Sequence, residues 1–194
     1  MAGLVMGVGT LGVGRYRARI GGVATKEYRL WEGMLTRCYS NKVHSRQPCY
    51  TEAQVSEEFL NFQYFAEWCQ SQMGFLQGYD LDKDFISNNS ATYSEDTCVF
   101  LPRKINTFNL TRIKARKYDL PEGVMPSRNG TKYKAMGSVD GVRKNLGSFD
   151  TPEEAFEVVN KCKIIAAHKL ADEFNGILDA RVIQKLRSFT LKKG

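Results

Sequence analysis

The sequence has little histidine and no paired cysteine motif. Its 194 residues include two histidines and five cysteines, and no two of the cysteines form a C-x-x-C pair. An odd number of unpaired cysteines argues against a disulfide framework and favours reduced thiols. We therefore expect a cytoplasmic protein.

The sequence also lacks an apolar run long enough to cross a bilayer. Its opening stretch, MAGLVMGVGTLGVGRYR, is apolar but broken by glycines, and no positive charge precedes it. A membrane-spanning helix needs about 20 consecutive apolar residues, and a signal peptide begins with a basic region. We predict an extended segment here and no membrane partner.

Acidic residues are scarce in one part of the chain. Residues 103–147 contain eleven Lys and Arg residues against three acids, in a chain whose net charge is +7. The remaining sequence is close to neutral, so the charge is concentrated. Such a basic segment favours a polyanionic partner, above all nucleic acid. For residues 103–117 the alternative is a solvated charged linker.

Apolar and aromatic residues are plentiful enough for more than one core. The hydrophobic fraction is 42%, with 11 Phe, 9 Tyr and 2 Trp, and the length exceeds the common single-domain size of about 100–150 residues. We predict a first module over residues 1–110, a basic linker over 111–121 and a second module over 122–194.

The first module begins with two helical patterns. Residues 27–39 carry apolar side chains at spacings of three and four, which predicts an amphipathic helix. Residues 40–51 lack periodicity and predict a loop. A second helix is predicted over 56–73, with an aromatic stripe that we interpret as core. The predicted core residues are Tyr28, Trp31, Met34, Leu35, Cys38, Phe59, Phe62, Phe65, Trp68 and Cys69.

Two short β-prone runs follow, over residues 81–86 and 97–101. A turn-rich segment separates them, which favours a hairpin with a long loop. Pro102 then introduces a short helix beginning at Arg103. The predicted order of the first module is helix, helix, β, β, α.

The second module predicts a three-stranded antiparallel sheet packed on a helix. Strands are predicted over 123–125, 133–139 and 143–149, with tight turns at Asn129-Gly130 and Asp140-Gly141. The sequence from Asp150 to Glu154 supplies a cap, a first-turn proline and acids, which begin a helix. A last helix is predicted over 178–189. The predicted fold class is α+β.

Strand alternation separates two faces of this sheet. Small Ala135 and Gly137 are expected to face the helix, so that it approaches closely. The opposite face then presents cationic and polar side chains. The predicted DNA-binding residues are Arg128, Lys132, Lys134, Ser138, Arg143, Lys144 and Asn145. We expect Arg143 and Asn145 to contact base edges, and the lysines to contact phosphates.

A long motif in this module resembles a known family. Gly123-Val124 and Tyr133-Lys134-Ala135 are followed by Asp140-Gly141-Val142-Arg143-Lys144-Asn145-Leu146-Gly147-Ser148-Phe149-Asp150-Thr151-Pro152-Glu153-Glu154-Ala155. This sequence is similar to the plant ethylene-response-factor (Apetala-type) DNA-binding domain. The resemblance implies a three-stranded sheet that docks in the major groove of double-stranded DNA.

The first module also resembles a known family. Its motifs are Trp31-Glu32-Gly33-Met34-Leu35-Thr36-Arg37-Cys38-Tyr39, Phe65-Ala66-Glu67-Trp68, Leu81-Asp82-Lys83-Asp84, Tyr93-Ser94-Glu95-Asp96-Thr97-Cys98-Val99-Phe100-Leu101-Pro102 and Ile105-Asn106. Together they look like bacteriophage HNH homing-endonuclease-like proteins, which implies a ββα-metal nuclease ancestry for residues 79–110. Phage origin would place the protein in the host cytoplasm.

The resemblance implies a catalytic histidine that this sequence does not have. Asp82-Lys83-Asp84 stands at the expected position, and no histidine lies between His44 and His168. We therefore expect catalysis to be weak or lost. Should the module cleave DNA, Asp82 and Asp84 are the candidate catalytic residues, sharing one face of a strand. With Asn106 they are also the candidate ligands of Mg²⁺ or Mn²⁺. The alternative is a surface hairpin without metal.

Zinc is a weaker hypothesis. Cys38, His44 and Cys49 lie close in sequence, and Cys69 or Cys98 could complete a set. Their spacing matches no familiar zinc motif, so we expect no zinc.

Three functions follow from these patterns. The leading hypothesis is a phage protein that binds duplex DNA without cleaving it. The alternatives are a metal-dependent site-specific DNA endonuclease and an inhibitor that binds a host protein.

Overall fold

The computed structural model describes residues 3–87, 90–108, 119–139 and 141–190. The chain divides into two compact units, unit 1 (Met1–Thr107 with Ile177–Asp179) and unit 2 (Phe108–Gly176 with Ala180–Gly194). Most of the predicted linker, residues 111–118, lies outside the described residues. Within the described residues, no helix combines the length and apolar character needed to cross a membrane.

Unit 1 is a helical core flanked by short two-stranded sheets. Its elements, in chain order, are β1 (Arg19–Ile20), β2 (Val23–Ala24), α1 (Lys26–Tyr39), α2 (Asn41–Arg46), β3 (Gln54–Val55), α3 (Phe62–Ser71), α4 (Met73–Leu76), β4 (Asp80–Asp82), β5 (Thr92–Tyr93), β6 (Val99–Leu101) and α5 (Arg103–Asn106). Single 3₁₀ turns cover Pro48–Tyr50 and Glu58–Leu60.

Helix α1 forms where its apolar spacing predicts it. Thr25 caps its amino terminus by accepting a hydrogen bond from the Tyr28 amide, which satisfies a donor that the helix itself leaves open. All five predicted core residues of this helix are buried. The indole of Trp31 is fully buried and donates to the Phe59 carbonyl oxygen at 2.7 Å, so α1 is fixed to the segment that precedes α3.

The prediction of one helix over residues 56–73 is wrong. The chain forms a 3₁₀ turn at Glu58–Leu60, and α3 begins only at Phe62. Asn61 adopts an extended conformation, and its side chain accepts from the Gln63 amide, so it ends one element and caps the next. The predicted core role of the aromatic stripe is confirmed, because Phe59, Phe62 and Phe65 are buried.

The predicted loop over residues 40–51 is also wrong in part. It contains helix α2 and the 3₁₀ turn at Pro48–Tyr50. None of the residues of α2 is buried, so the helix has no apolar stripe by which periodicity could reveal it.

The predicted hairpin with a long loop is confirmed for β4 and β6, which pair antiparallel with Leu81 opposite Phe100. The first strand is shorter than predicted, because β4 ends at Asp82. Within the intervening loop, β5 turns away and pairs in parallel with β3. Helix α5 follows at Arg103, as the sequence predicts.

Unit 2 is a three-stranded antiparallel sheet with two helices. Its elements are β7 (Val124–Pro126), β8 (Tyr133–Val139), β9 (Val142–Phe149), α6 (Pro152–Glu173) and α7 (Ala180–Arg187), and the strand order is β7-β8-β9. The α+β class and the carboxy-terminal helix are therefore confirmed. Gly137 lets α6 approach closely, since an added Cβ would lie 3.1 Å from Cys162 Sγ.

The two predicted turns of this sheet differ. Val139 pairs with Val142, so β8 and β9 are joined by the two-residue turn that was predicted, of which Asp140 lies outside the described residues. Strands β7 and β8 are joined by six residues instead of a two-residue turn, because pairing stops at Pro126 and Tyr133. The Ser127 amide donates to the Lys132 carbonyl oxygen at 2.7 Å and closes this loop.

Helix α6 begins with a complete capping box. The Thr151 hydroxyl accepts from the Glu154 amide at 3.2 Å, and the Glu154 carboxylate accepts from the Thr151 amide at 3.3 Å. Pro152 occupies the first turn, where its missing N–H costs no hydrogen bond. The predicted helix start is confirmed, with Thr151 as its cap.

Replacing Thr151 with alanine should weaken the first turn of α6, because the Glu154 amide loses its acceptor. A cap of this kind contributes about 1 kcal/mol. We expect faster amide hydrogen exchange over the first turn in Thr151→Ala. Thr151→Ser keeps the hydroxyl and should stay close to the wild type. Equal exchange in all three proteins would contradict a stabilising role for the cap.

Candidate nucleic-acid interface

The strand pairing assigns the side chains of unit 2 to two faces. Ala135 is fully buried and pairs with Val124 on the face that α6 covers. The residues whose side chains alternate to the opposite side of the strands form the other face, which we call the outer face. Its members are Met125, Lys134, Met136, Ser138, Arg143, Asn145 and Ser148. None of these described strand residues is acidic, so the face carries positive charge only.

A β-bulge in β9 makes this arrangement possible. Ala135 pairs with Gly147 but Met136 pairs with Asn145, so Leu146 is an extra residue. Gly147 has φ of 142°, a conformation that residues with a Cβ rarely adopt. Leu146 lies against Gly137 on the helix side, and Phe149 pairs with Tyr133 on the same side. Arg143 and Asn145 consequently point outward together.

Arg143 lies across the outer face. Its Nη2 approaches Met125 Sδ at 3.7 Å, although β8 separates the two strands that carry them. Sulfur is a weak acceptor, so the contact orients the guanidinium and leaves its other donors available. Met125 is 39% exposed. Sequence reasoning missed this residue, although strand alternation places it on the face of Lys134.

Asn145 has a local role in addition to the predicted one. Its Oδ1 accepts a hydrogen bond from the Gly147 amide at 3.1 Å, which satisfies a backbone donor of the bulge. The side-chain amide nitrogen keeps its donors. Asn145 is therefore held in place by the backbone and points along the outer face.

The remaining predicted DNA-binding residues divide into three groups. Lys134 and Ser138 lie on the outer face. Arg128 and Lys132 lie in the exposed β7–β8 loop, where Lys132 Nζ is 3.0 Å from Asp150 Oδ1 in a solvent-exposed ion pair. Lys144 pairs with Gly137, so its side chain is on the same side of the sheet as α6, although it is exposed near the end of the hairpin. The structure thus brings together four of the seven residues: Lys134, Ser138, Arg143 and Asn145.

The Asp82 side chain holds a turn in unit 1. Its Oδ1 accepts from the Asp84 amide at 2.9 Å and from the Phe85 amide at 2.7 Å. Such a side-chain turn ends the strand at Asp82. The prediction that Asp82 and Asp84 share one face of a strand is therefore wrong, because Asp84 lies beyond the strand. Burial raises the pKa of the Asp82 carboxyl, partly offset by these amide bonds.

Lys83 closes the loop that follows β4. Its ammonium group is paired with the Asp84 carboxylate and donates to the Ser90 carbonyl oxygen at 3.2 Å. It also lies 5.6 Å from the centre of the buried Tyr93 ring. The Lys83 side chain is only 11% exposed. The Asp82-Lys83-Asp84 sequence therefore stabilises the loop itself.

The candidate metal ligands come from two segments, the end of β4 with the residues that follow it, and α5. Across the described ranges, no three His, Cys, Asp or Glu side chains are grouped to hold a metal ion. Asn106 is exposed at the end of α5. Burial raises the pKa of the Cys38 thiol to about 11 and that of Cys98 to about 12, so both are protonated and unreactive at neutral pH. His44 Nε2 contacts the Arg37 carbonyl oxygen at 2.9 Å.

We compared the chain with family models, curated proteins and solved structures, and none of them matches it. The two family resemblances in the sequence therefore stay predictions.

Substitution of Asp82 tests the structural role of its turn. The chain's two tryptophans, Trp31 and Trp68, both lie in unit 1, so tryptophan fluorescence reports on the unfolding of that unit. Asp82→Ala leaves the Asp84 and Phe85 amides without their acceptor, and we expect a loss of about 1–3 kcal/mol in urea unfolding. An Asp82→Ala protein as stable as the wild type would contradict the structural role.

Asp82→Asn keeps the acceptor and removes the charge. A folded-state pKa above that of the unfolded chain means that ionised Asp82 destabilises the folded state at neutral pH. The destabilisation disappears as the pH falls below the ordinary pKa of aspartate. Asp82→Asn should therefore be at least as stable as the wild type at pH 7, and its advantage should decrease on acidification.

Proposed function

We propose that the protein binds duplex DNA through the outer face of unit 2 and acts by occupying its site, without cleaving it. One observation carries this proposal. Lys134, Arg143 and Asn145 lie together on an exposed sheet face whose described strand residues include no acid. A cationic surface that also offers amide and hydroxyl groups suits both the phosphates and the base edges of DNA.

The shape of the unit supports duplex DNA in particular. The major groove accepts a two-stranded β-ribbon, and β8 and β9 form a hairpin of seven and eight residues. Arg143 can donate two parallel hydrogen bonds to guanine, the commonest base-specific contact. Its approach to Met125 Sδ limits the orientations of the guanidinium before DNA binds.

Lys134 supports the proposal by a different route. A lysine ammonium is a point charge that contacts phosphates without reading sequence. Lys134 pairs with Ser148 one residue into β8, near the end of the hairpin where the loop carries Lys132 and Arg128. Arg143 pairs with Ser138 and lies toward the turn at the other end. The cations thus occupy both ends of the hairpin, where each can contact phosphates.

The first unit supports binding without cleavage. Hydrolysis of DNA by this class of site needs a general base and a divalent metal. Asp82 Oδ1 is occupied by two backbone amides and Asp84 is paired with Lys83. Both candidate carboxylates thus have structural partners. The endonuclease and host-inhibitor hypotheses stay alternatives, and no contact of the described residues favours either.

DNA binding should depend on salt and on the outer face. Removing Lys134 should weaken binding to all duplexes and reduce the slope of log K against log [salt] by about 0.9, the value for one phosphate contact. Removing Arg143 should reduce the preference among sequences by about 1–3 kcal/mol. Binding-site selection on random duplexes, followed by titrations of Lys134→Ala and Arg143→Ala, measures both effects.

The matched control is Lys161→Ala, which removes an exposed lysine from α6, on the other side of the sheet. It should leave affinity and salt slope close to those of the wild type. Duplex binding that is absent at low salt, or that Lys161→Ala weakens as much as Lys134→Ala does, would refute the proposal.

Cleavage gives a separate prediction. Incubation of the full chain with Mg²⁺ or Mn²⁺ and the selected duplex should leave both strands intact, as denaturing electrophoresis will show. Nicks that appear with metal and vanish in Asp84→Ala would establish the endonuclease alternative instead. Asp84 suits this test because its side chain is largely exposed.

A further inference from the structure

A small β-hairpin projects from the start of unit 1. Strands β1 and β2 pair antiparallel, with Arg19 opposite Ala24 and Ile20 opposite Val23. The two residues between them, Gly21 and Gly22, have φ of 56° and 82°. A two-residue turn with positive φ at both positions matches the twist of the strands. The hairpin therefore has a tight and regular tip.

The tip of this hairpin is apolar and exposed. Ile20 and Val23 are 66% and 68% exposed, and their pairing places the two side chains side by side on one face. Neither belongs to the buried cluster around Trp31 and Phe62. Two adjacent β-branched residues at a hairpin tip contribute little to the core, so their side chains are available to a partner.

Thr25 joins the base of the hairpin to the start of α1. The Thr25 hydroxyl donates to the Arg17 carbonyl oxygen at 3.0 Å, and the Thr25 amide donates to the Ala18 carbonyl oxygen at 3.0 Å. The same hydroxyl accepts from the Tyr28 amide as the cap of α1. The base of the hairpin and the start of α1 thus share a hydrogen-bond network. The hairpin is held in a defined direction before it meets a partner.

The segment that carries the hairpin is basic. Residues 1–26 contain no Asp or Glu and four cations, Arg15, Arg17, Arg19 and Lys26. Two of these are engaged within the unit: Arg15 pairs with Glu67 at 2.7 Å, and Lys26 donates to the Phe75 carbonyl oxygen at 2.6 Å. Arg17, before the hairpin, and Arg19, in its first strand, are exposed. Arg19 also donates to the Gly22 carbonyl oxygen at 3.0 Å.

We propose that the β1–β2 hairpin is a second contact with duplex DNA, in which Arg17 and Arg19 bind phosphates and Ile20 and Val23 pack on thymine methyl groups in the major groove. Charge complementarity identifies the partner as a polyanion. A narrow two-stranded ribbon fits the major groove, where the thymine methyl is the apolar feature that side chains can contact. An apolar tip with two arginines in the segment that leads to it matches both parts of that surface.

This contact is independent of the proposed outer-face interface, because it lies in the other unit. It is measured in the full chain carrying Lys134→Ala and Arg143→Ala, which removes the outer-face contribution. Failure of the outer-face proposal would leave the hairpin contribution in place. Failure of the hairpin proposal would leave the effects of Lys134 and Arg143 unchanged. The two proposals therefore fail separately.

The probe is a mixed-sequence duplex prepared with thymine and again with uracil, which lacks only the methyl group. The chain with the hairpin intact should bind the uracil duplex more weakly, by about fourfold for each methyl group that the tip buries. Ile20→Ser with Val23→Ser should bind both duplexes equally. The control is Ile165→Ser, which changes an isoleucine that is 58% exposed on α6 and should keep the thymine preference.

The charges are tested by the salt dependence. Arg17→Ala with Arg19→Ala should reduce the slope of log K against log [salt] by about 1.8, since each phosphate contact contributes about 0.9. Arg46→Ala removes an exposed arginine from α2 of the same unit and should leave the slope unchanged. Circular dichroism of each variant checks that the exposed substitutions leave the fold intact.

Three outcomes would overturn the proposal. The first is that replacing thymine with uracil weakens binding equally in the protein with the intact hairpin and in the protein with Ile20→Ser and Val23→Ser. The second is an unchanged salt slope in the double arginine variant. The third is binding to anionic phosphatidylserine vesicles that depends on Ile20 and Val23 while duplex binding does not, which would assign the hairpin to a membrane surface.

Discussion

Helix α6 can cover only one face of a three-stranded sheet, and most features of unit 2 follow from that constraint. The covered face must be apolar and closely packed, which accounts for Ala135 and for Gly137 beneath Cys162. The opposite face stays in water, where charged side chains carry little desolvation cost. A module of this size therefore keeps its packing on one side of the strands and leaves the side chains of the other side open to solvent.

Unit 1 is stabilised in a different way, because its strands are too short to form a sheet with an independent core. Its stability comes from aromatic packing, in which Trp31 joins helix and loop through one buried hydrogen bond. Around that core, polar residues hold loops by contacting backbone groups. Asp82 and Lys83 act in this way, since both side chains hold the loop that follows β4 through backbone groups.

The sequence predicted elements well wherever one periodicity dominated. Strand β8 has the predicted bounds, and α1 differs by one residue, since alternation and three-to-four spacing are strong signals there. The single helix predicted over 56–73 failed because Phe59, Phe62 and Phe65 keep helical spacing across the break at Asn61. The outer face was predictable for Lys134 and Arg143 by alternation. The Asp82 turn was not predictable from periodicity, because its hydrogen bonds join a side chain to the backbone and leave no repeating pattern in the sequence.

The bulge at Leu146 decides which side chains of β9 face outward. Leu146 and Phe149 are three residues apart and lie on the same side of the sheet, which regular alternation forbids. Had Leu146 paired regularly, Arg143 and Asn145 would turn toward α6 and Lys144 would face outward in their place. Loss of Leu146 would instead remove the bulge and keep Arg143 and Asn145 outward, because Asn145 would then directly precede Gly147 in a regular strand. In evolutionary terms, relatives that lack Leu146 should keep the outer face, so the length of β9 is free to vary at this position.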